Sequence, residues 1–356
     1  MAVTINGSTG ITTPGITNSG NETVSGNSAV TGIISTGGNS LSPVQSFRNK
    51  IINGNFDFWQ RGTSFTSSGY GGPDRWLTLI TGSTHTTSRQ SFTLGQTDVP
   101  GEPTYYQRTV VTSSAGAGNL CLTYQKIESV RTLAGQKATL SFWAKADASK
   151  NMAVEFTQEF GSGGSPSSSI TGIGVTTCAL TTSWQKFEII IDVPSISGKT
   201  LGSNGNDCLQ IVFWFDAGSD WNSRTNSLGQ QSGTFDIAQV QFEAGSVATP
   251  FEVRPPGVEL GLCQRYYQLI AWGLENYANG GYTRSLQTIT FTVMRAVPTV
   301  TRITTGVGQS NIRNSDPSTY AYINGLSNYC ASISVESQAQ GLVQSYTNID
   351  SLSAEL

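Results

Sequence analysis

Apolar and polar residues alternate with a period of two through much of the chain between residues 47 and 256. The alternation is clearest at 138–144, 187–193, 209–215 and 238–242, and clusters of Gly, Ser, Asn and Pro separate these segments. Such alternation predicts strands with one buried face, and the turn residues predict where each strand ends. The economical arrangement is two stacked antiparallel sheets. We therefore expect a β-sandwich over residues 47–256.

The pattern changes at a cluster of prolines between residues 250 and 256. Proline cannot continue a central strand, so the cluster marks the end of the predicted sandwich. A bulky amphipathic connector follows at 258–272, and alternation returns at 289–293 and 331–335. Residues 257–356 are therefore expected to form a second, smaller β-domain.

Residues 1–46 differ from the rest of the chain in composition. Gly, Ser, Thr and Asn dominate the segment, and Glu22 is its only charged residue. Its scattered Ile and Val residues are too few to close a core in one copy, but three copies around an axis could bury them. A disordered tail is the alternative, although such tails are usually charged. We expect an N-terminal anchor or stalk in a homotrimer.

The charge balance and the apolar runs exclude several classes of protein. The chain has 20 Lys and Arg against 23 Asp and Glu, a net charge of −3, which gives no basic surface for nucleic acid. No apolar run approaches the roughly 18 residues that a membrane-spanning helix needs. The first residues lack the basic and apolar regions of a signal peptide. Neither nucleic-acid binding nor membrane insertion is expected.

The residues that carry catalytic and metal chemistry are sparse. The single histidine, His85, lies in a polar stretch that predicts a surface loop, and one imidazole cannot supply a multi-histidine metal site. Five separated cysteines without a C-x-x-C pair are expected to be small buried hydrophobes in a protein made in a reducing compartment. No G-x-S-x-G or phosphate-binding loop is present. We predict no enzymatic activity, no cofactor and no metal.

Several motifs occur together in one order along the chain. KIINGNFDFWQRG at 50–62 is followed by PDRW at 73–76, VRTLAG at 130–135, LSFWAKA at 140–146, FDIAQVQFEAG at 235–245, TPFEVRP at 249–255 and CQRYY at 263–267. Over residues 48–270 this series resembles a module common in tail fibre and receptor-binding proteins of tailed bacteriophages. The first residues, MAVTI, and the last, SAEL at 353–356, also resemble the ends of such fibres.

The resemblance implies a jelly-roll sandwich, similar to carbohydrate-binding modules, within a homotrimeric tail fibre. Residues 1–46 would attach to a tail, baseplate or adaptor protein, and the C-terminal domain would be the tip that adsorbs to a host-surface polysaccharide. The protein would be made in the host cytoplasm and reside in the virion tail. One alternative is a structural tail or baseplate protein without receptor binding. Another is a polysaccharide-degrading tailspike, which is disfavoured because no carboxylate pair is evident from spacing and no solenoid repeat is present.

Aromatic residues in the predicted tip are the candidate receptor-binding residues. Aromatic faces stack on the apolar side of a pyranose, and here they are mixed with Asn, Gly and Ser, as in adaptable binding loops. Packing between protomers is the alternative role. The candidates are Trp272, Tyr277, Tyr282, Tyr320 and Tyr322.

Two further groups are judged mainly structural. The tryptophans within strand patterns are expected to pack in the core, with ligand stacking as the alternative; they are Trp59, Trp76, Trp143, Trp184 and Trp214. Asp57 and Asp236 occupy positions where carbohydrate-binding jelly rolls often hold calcium. Ile237 follows Asp236 where a second acid is usual, so calcium is not expected there.

Overall fold

The computed structural model divides the chain into two compact units, 1–46 and 47–356. Within the first it describes only a short antiparallel pair, β1 (Ser35–Thr36) and β2 (Asn39–Ser40). Within the second it describes 47–272, 275–278, 283–303, 312–313, 320–337, 341–345 and 348–356. Most of the predicted stalk thus lies outside the described residues, and the stalk and its trimeric state remain predictions.

Residues 64–244 form two antiparallel sheets. Between residues 76 and 244, most connections cross from one sheet to the other, as in a jelly roll, so the predicted β-sandwich is confirmed. In spatial order the five-stranded sheet contains β10 (Ile170–Leu180), β9 (Lys150–Glu159), β12 (Cys208–Ala217), β7 (Leu120–Glu128) and β4 (Trp76–Thr81). The six-stranded sheet contains β11 (Gln185–Asp192), β8 (Lys137–Ala146), β13 (Gly233–Ala244), β6 (Tyr105–Thr112), β5 (Thr84–Ser91) and β3 (Ser64–Phe65).

The core between the sheets follows the alternation predicted from the sequence. Leu140 and Phe142 on β8 and Phe213 on β12 are fully buried. The Phe142 ring meets the Phe213 ring edge-on at 5.1 Å and stacks on Phe187 at 5.4 Å. Burying a side chain of this size contributes about 1.5–3 kcal/mol, so these residues stabilise the packing of one sheet on the other.

The predicted alternation fails at one point in β13. The sequence pattern placed Ala238, Val240 and Phe242 on one face, but Ile237, Val240 and Phe242 are the residues packed in the core. The register with β8 shifts between Ala238 and Gln241, and the backbone at Gln239 has φ of 48°. This irregularity is a β-bulge, which inserts one extra residue and redirects the side chains beside it.

The surface-loop prediction for His85 is wrong. His85 lies in β5 and is 5% exposed, with its ring nitrogens near the Thr87 hydroxyl and the Ser67 carbonyl oxygen. Those hydrogen bonds allow a polar ring to be buried in an otherwise polar strand. The prediction that the cysteines are buried is confirmed for four of the five, which are free thiols; Cys330 is also free but only half-buried.

The tryptophan predictions are confirmed in part. The buried ones are Trp59, Trp76 and Trp214, whereas Trp143 and Trp184 are half-buried. Trp214 lies on the outer face of the five-stranded sheet, beneath Trp221, whose ring centroid is 5.5 Å away. Trp221 ends a 3₁₀ helix (Ser219–Trp221), which is followed by α1 (Asn222–Thr225). This segment therefore covers part of one outer face, while the other outer face carries the groove described below.

Beyond the sandwich, α2 (Pro256–Gln264) occupies the first part of the predicted connector and three antiparallel three-stranded sheets follow. Their strands, in spatial order within each sheet, are β14 (Tyr267–Trp272), β22 (Asn348–Ser353) and β17 (Thr299–Ile303); β15 (Glu275–Ala278), β21 (Gly341–Ser345) and β18 (Ile312–Arg313); and β16 (Thr283–Thr290), β20 (Cys330–Ser337) and β19 (Tyr320–Leu326). Among the described residues, no helix has the length and apolar character to cross a membrane.

Candidate functional site: a groove on the six-stranded sheet

Two adjoining cavities of about 290 and 420 Å³ form a groove over the outer face of β8 and β13. They share Gly101, Gln239, Phe251 and Val253, so they are continuous. The walls come from three separate parts of the sequence: 49–58, 100–104 and 249–259. Concave sites with apolar walls and a few polar groups are typical binding sites for small ligands.

One end of the groove is largely apolar. Trp143 on β8 and Phe251 are both half-buried and both line this cavity, together with Pro100 and Pro250. Trp143 is paired in register with Lys186 on β11, an exposed residue that also lines the cavity. Flat aromatic surfaces of this kind accept the apolar face of a sugar ring.

The other end is polar and acidic. Asn55, Asp57, Glu102 and Gln239 line it, and Asn55 donates a hydrogen bond of 3.0 Å to the Asp57 carboxylate. Burial raises the pKa of Asp57, and the nearby charge of Glu259 raises it further, while the Asn55 hydrogen bond lowers it. The Asp57 carboxylate is thus a partly desolvated hydrogen-bond acceptor, which suits it to bind a ligand hydroxyl or amine.

The other carboxylates at this end are held in place by the chain itself. Glu252 accepts the backbone N–H groups of Phe47 and, at 2.8 Å, of Asn49. Glu259 accepts the N–H of Asn53 and pairs with Arg254 at 3.0 Å. Glu252 and Glu259 therefore fix the walls of the groove, and Glu102 accepts the N–H of Gly95 at 3.1 Å. Asp57 is then the acid best placed to meet a ligand.

The KIINGNFDFWQRG segment forms one wall of the groove. It pairs with residues 240–242 of β13, at the bulge and just after it. Lys50 donates its N–H to Phe242 at 2.7 Å, and Val240 donates to Gly54 at 2.9 Å. The Asn49 amide adds bonds to Val240 (3.1 Å) and Phe242 (3.0 Å). A Cβ on Gly54 would lie 2.1 Å from the Val240 oxygen, so this approach requires glycine.

The β-bulge places Gln239 where the two cavities meet. Its Nε2 donates to the Pro100 carbonyl at 2.7 Å, so the side chain is fixed across the groove. Without the extra residue, regular alternation would give this position a different orientation. The bulge is therefore a feature of the site as well as of the sheet.

A charged and aromatic cluster lies on the same face, beyond Trp143. Asp236 accepts two hydrogen bonds of 2.8 Å from Arg108, and Lys145 lies 3.9 Å from the same carboxylate. These hydrogen bonds raise the pKa of Arg108. Trp184 packs against Tyr106 at 5.2 Å, with Lys145 over its ring. Asp236 is thus committed to two cations, and among the described residues no group of three His, Cys, Asp or Glu could hold a metal ion.

The structure places the predicted receptor-binding residues in three different sheets. Trp272 ends β14, Tyr277 lies in β15, and Tyr320 and Tyr322 lie in β19. Tyr282 lies outside the described residues. Their role in receptor binding remains a prediction.

The sequence reasoning missed the groove, although the signal was present. The motifs on which the resemblance rests contain polar and aromatic residues that are not required to build the core of the sandwich. They include Asn55, Asp57, Trp143, Gln239 and Phe251. Their convergence depends on pairing between segments nearly 200 residues apart, as in the Asn49–Phe242 bond. No local pattern reports such a pairing.

No family model matches the chain, and no curated protein matches its sequence. Solved structures that it resembles include the enzymatically active domain of tailspike protein 4 of bacteriophage CBA120, with 15% identity and a TM-score of 0.32, over 57% of this chain and 22% of that one. Another is a family 11 carbohydrate-binding module from Clostridium thermocellum in complex with a mixed-linked tetrasaccharide (15% identity, TM-score 0.31, 52% and 98% of the two chains). A xylan-binding domain from Paenibacillus barcinonensis is similar as well (17%, 0.31, 51% and 99%).

The chain thus spans about a fifth of that tailspike domain but nearly the whole of each module. Similarities at this level carry no argument about ligand or activity. What the molecule itself defines is an all-β protein whose jelly-roll sandwich bears an open, aromatic-lined groove on one face.

Proposed function

We propose that this protein binds a glycan in the groove and serves as a bacteriophage tail fibre that adsorbs to a host-surface polysaccharide. The observation that carries the proposal is the pairing of an aromatic end, with Trp143 and Phe251, and a polar end, with Asn55, Asp57 and Gln239. Sugar recognition needs both: an aromatic face for the ring and hydrogen-bonding groups for the hydroxyls.

The groove need not bind tightly for this function. A single site with a millimolar dissociation constant corresponds to only about −4 kcal/mol. Several linked copies can raise the overall affinity by roughly 10²–10⁴ when they engage one surface together. The homotrimer expected from residues 1–46 would supply such copies, and the same segment would join the fibre to the tail. The motif series over residues 48–270 supports this placement.

A tailspike that cleaves its polysaccharide is less well supported. A glycosidase needs two carboxylates facing the scissile bond, one of them able to donate a proton. In the groove, Glu252 and Glu259 are tied to backbone N–H groups and Arg254, and Glu102 accepts the N–H of Gly95 at 3.1 Å. We therefore assign Asp57 to binding rather than to catalysis. A structural tail protein without receptor binding remains the second candidate function.

Replacing Trp143 with alanine tests the proposal. The expected result is at least a tenfold loss of binding to purified host polysaccharide, measured by calorimetry or glycan array. Trp221→Ala is the matched control, because Trp221 is also half-buried but packs on the outer face of the five-stranded sheet, away from the groove. Trp272→Ala tests the predicted tip in the same assay. Loss of binding with Trp272→Ala but not with Trp143→Ala would move the receptor site to the C-terminal sheets.

A further inference from the structure

Four cationic side chains converge on residues 354–356. Arg61 contacts one Glu355 carboxylate oxygen at 3.0 Å, and Arg75 contacts the other. Lys126 donates to the Leu356 carbonyl oxygen at 2.9 Å, and Arg295 donates to the Ala354 carbonyl oxygen at 3.0 Å. We call these four cations, with Tyr266 and Tyr267, the cradle.

Contacts within the cradle itself hold its arginines in place, independently of residues 354–356. The Arg61 guanidinium lies 3.5 Å from the centre of the Tyr267 ring, and that of Arg75 lies 3.4 Å from the centre of the Tyr266 ring. Arg75 also donates to the Lys126 carbonyl at 2.7 Å. Its backbone has φ of 73°, a conformation that a non-glycine residue adopts only at a cost. The fold therefore holds the Arg75 charge in place at some expense of stability.

The cradle is matched to an acidic side chain. Arg75 is 1% exposed, so its charge requires a partner. Asp74, the other nearby carboxylate, accepts two bonds from Gln60 and lies 4.0 Å from Arg61. Glu355 is the acid that both arginines contact.

The cradle also recognises the backbone of the segment. Ala354 donates its N–H to the Tyr266 carbonyl at 2.7 Å, and Arg295 reaches the carbonyl oxygens of both Ala354 and Glu355. Backbone hydrogen bonds of this kind recognise a peptide in an extended conformation. The two arginines recognise a carboxylate side chain at one position of that peptide. Together they define a ligand class: a short extended peptide with a single glutamate, as in Ser-Ala-Glu-Leu.

We propose that the cradle is a peptide-docking site, and that residues 353–356 occupy it as a detachable latch. The latch begins at Ser353, the last residue of β22, which is the central strand of the β14–β22–β17 sheet, and it helps to fasten that sheet to the sandwich. This role is independent of the glycan groove, whose lining includes none of the cradle residues. Release of the latch frees residues 353–356 and the end of β22, while the sandwich stays folded and β14 stays attached through the bonds of Tyr266 to Glu128 (2.8 Å) and of Gln60 to the Tyr267 carbonyl (3.0 Å).

Hydrogen exchange on the full-length Glu355→Gln protein tests the latch. The expected result is exchange at least tenfold faster in residues 350–356, with the sandwich strands β7, β8 and β12 unchanged. Lys137→Gln is the control, because it removes a cation from an exposed pair with Asp192. Faster exchange throughout the sandwich, or no change at 350–356, would overturn the proposal.

A second measurement tests recognition in trans. Fluorescein-labelled Ser-Ala-Glu-Leu peptide is added to protein that ends at Leu352, and polarisation reports binding. Binding is expected for this peptide and at least tenfold weaker for Ser-Ala-Gln-Leu or for the truncated protein carrying Arg61→Gln. A truncated protein that folds, as shown by circular dichroism, yet binds both peptides equally or not at all would refute a docking site. If the shortened protein does not fold, the exchange experiment decides alone.

Discussion

Arg75 and Glu355 are 280 residues apart in sequence and form an ion pair inside the molecule. Arg75 is 1% exposed, and its guanidinium contacts the Glu355 carboxylate. Breaking a buried pair by removing one partner typically costs about 3–5 kcal/mol. We expect Glu355→Gln to lower the free energy that holds residues 353–356 in the cradle toward that range, reduced by the remaining contact of Arg75 with the Lys126 carbonyl, while the sandwich stays folded. Hydrogen exchange at residues 350–356 measures this loss.

The double variant Arg75→Met/Glu355→Leu is the companion to this experiment. It removes both charges, so it should recover most of the stability that Glu355→Gln loses. Equal losses in the single and double variants would show that packing, rather than charge, accounts for the effect.

Asp57→Asn is expected to make the protein more stable and less able to bind. Because burial raises the pKa of Asp57, its ionised form is disfavoured in the fold. Wild-type stability should therefore fall as pH rises from the unfolded pKa through the raised folded pKa, and the asparagine variant should lack this decline. The gain at pH 7 should be about 1 kcal/mol or less, because the side chain is only partly buried.

Thermal unfolding between pH 3 and pH 7, beside glycan titration at pH 7, measures both effects. Asp192→Asn is the control, because Asp192 is an exposed acid on the same sheet. A variant that is more stable yet binds the glycan as tightly as wild type would remove Asp57 from the site.

Gly54→Ala should be strongly destabilising. The added Cβ would meet the Val240 oxygen, a backbone atom that cannot move aside without breaking the pairing with β13. A loss on the order of 2 kcal/mol or more is expected. Gly257→Ala is the matched control, since a Cβ there meets nothing within 4 Å and alanine favours the helix α2. Denaturant midpoints compare the two, and equal effects would contradict the close approach at Gly54.

The native protein should resist thiol alkylation except at one position. Burial raises the pKa of Cys178 to about 12 and that of Cys208 to about 11, and it raises those of Cys121 and Cys263 as well. At pH 8 these thiols are protonated and inaccessible, whereas Cys330 is half-buried. Mass spectrometry after iodoacetamide treatment should find modification at Cys330 alone. Rapid labelling of Cys208 in folded protein would contradict the packing at the start of β12.

The sequence predicted the layers of the fold better than it predicted the site. Period-two alternation identified the buried faces of β8, β11 and β12, because hydrophobic burial repeats locally along a strand. The prediction failed at Gln239, because the β-bulge there inserts one extra residue into β13 opposite β8. Such an insertion depends on the neighbouring strand and leaves no local sequence pattern. The alternation pattern placed His85 in a loop because a polar strand with a buried ring has no local signature.

The groove could not be predicted for a related reason. Its aromatic floor and acidic wall belong to segments that meet only after β13 has paired with residues 49–54. The resemblance marked these segments as related to one another, but it carried no geometry. The cradle was equally hidden, since Arg61, Arg75 and Glu355 lie at opposite ends of the chain.

The pairing of residues 49–54 with β13 also has a mechanical consequence. Tension applied at Phe47 acts next to two hydrogen bonds with β13: Lys50 donates its N–H to the Phe242 carbonyl, and Phe242 donates its N–H to the Asn49 side-chain oxygen. The force is then transmitted to β13, an inner strand of the six-stranded sheet that is paired with β8. It does not act on an edge strand, which could be separated from the sheet one hydrogen bond at a time. Several hydrogen bonds share such a pull, so the pairing of residues 49–54 with β13 resists force applied along the chain at this point.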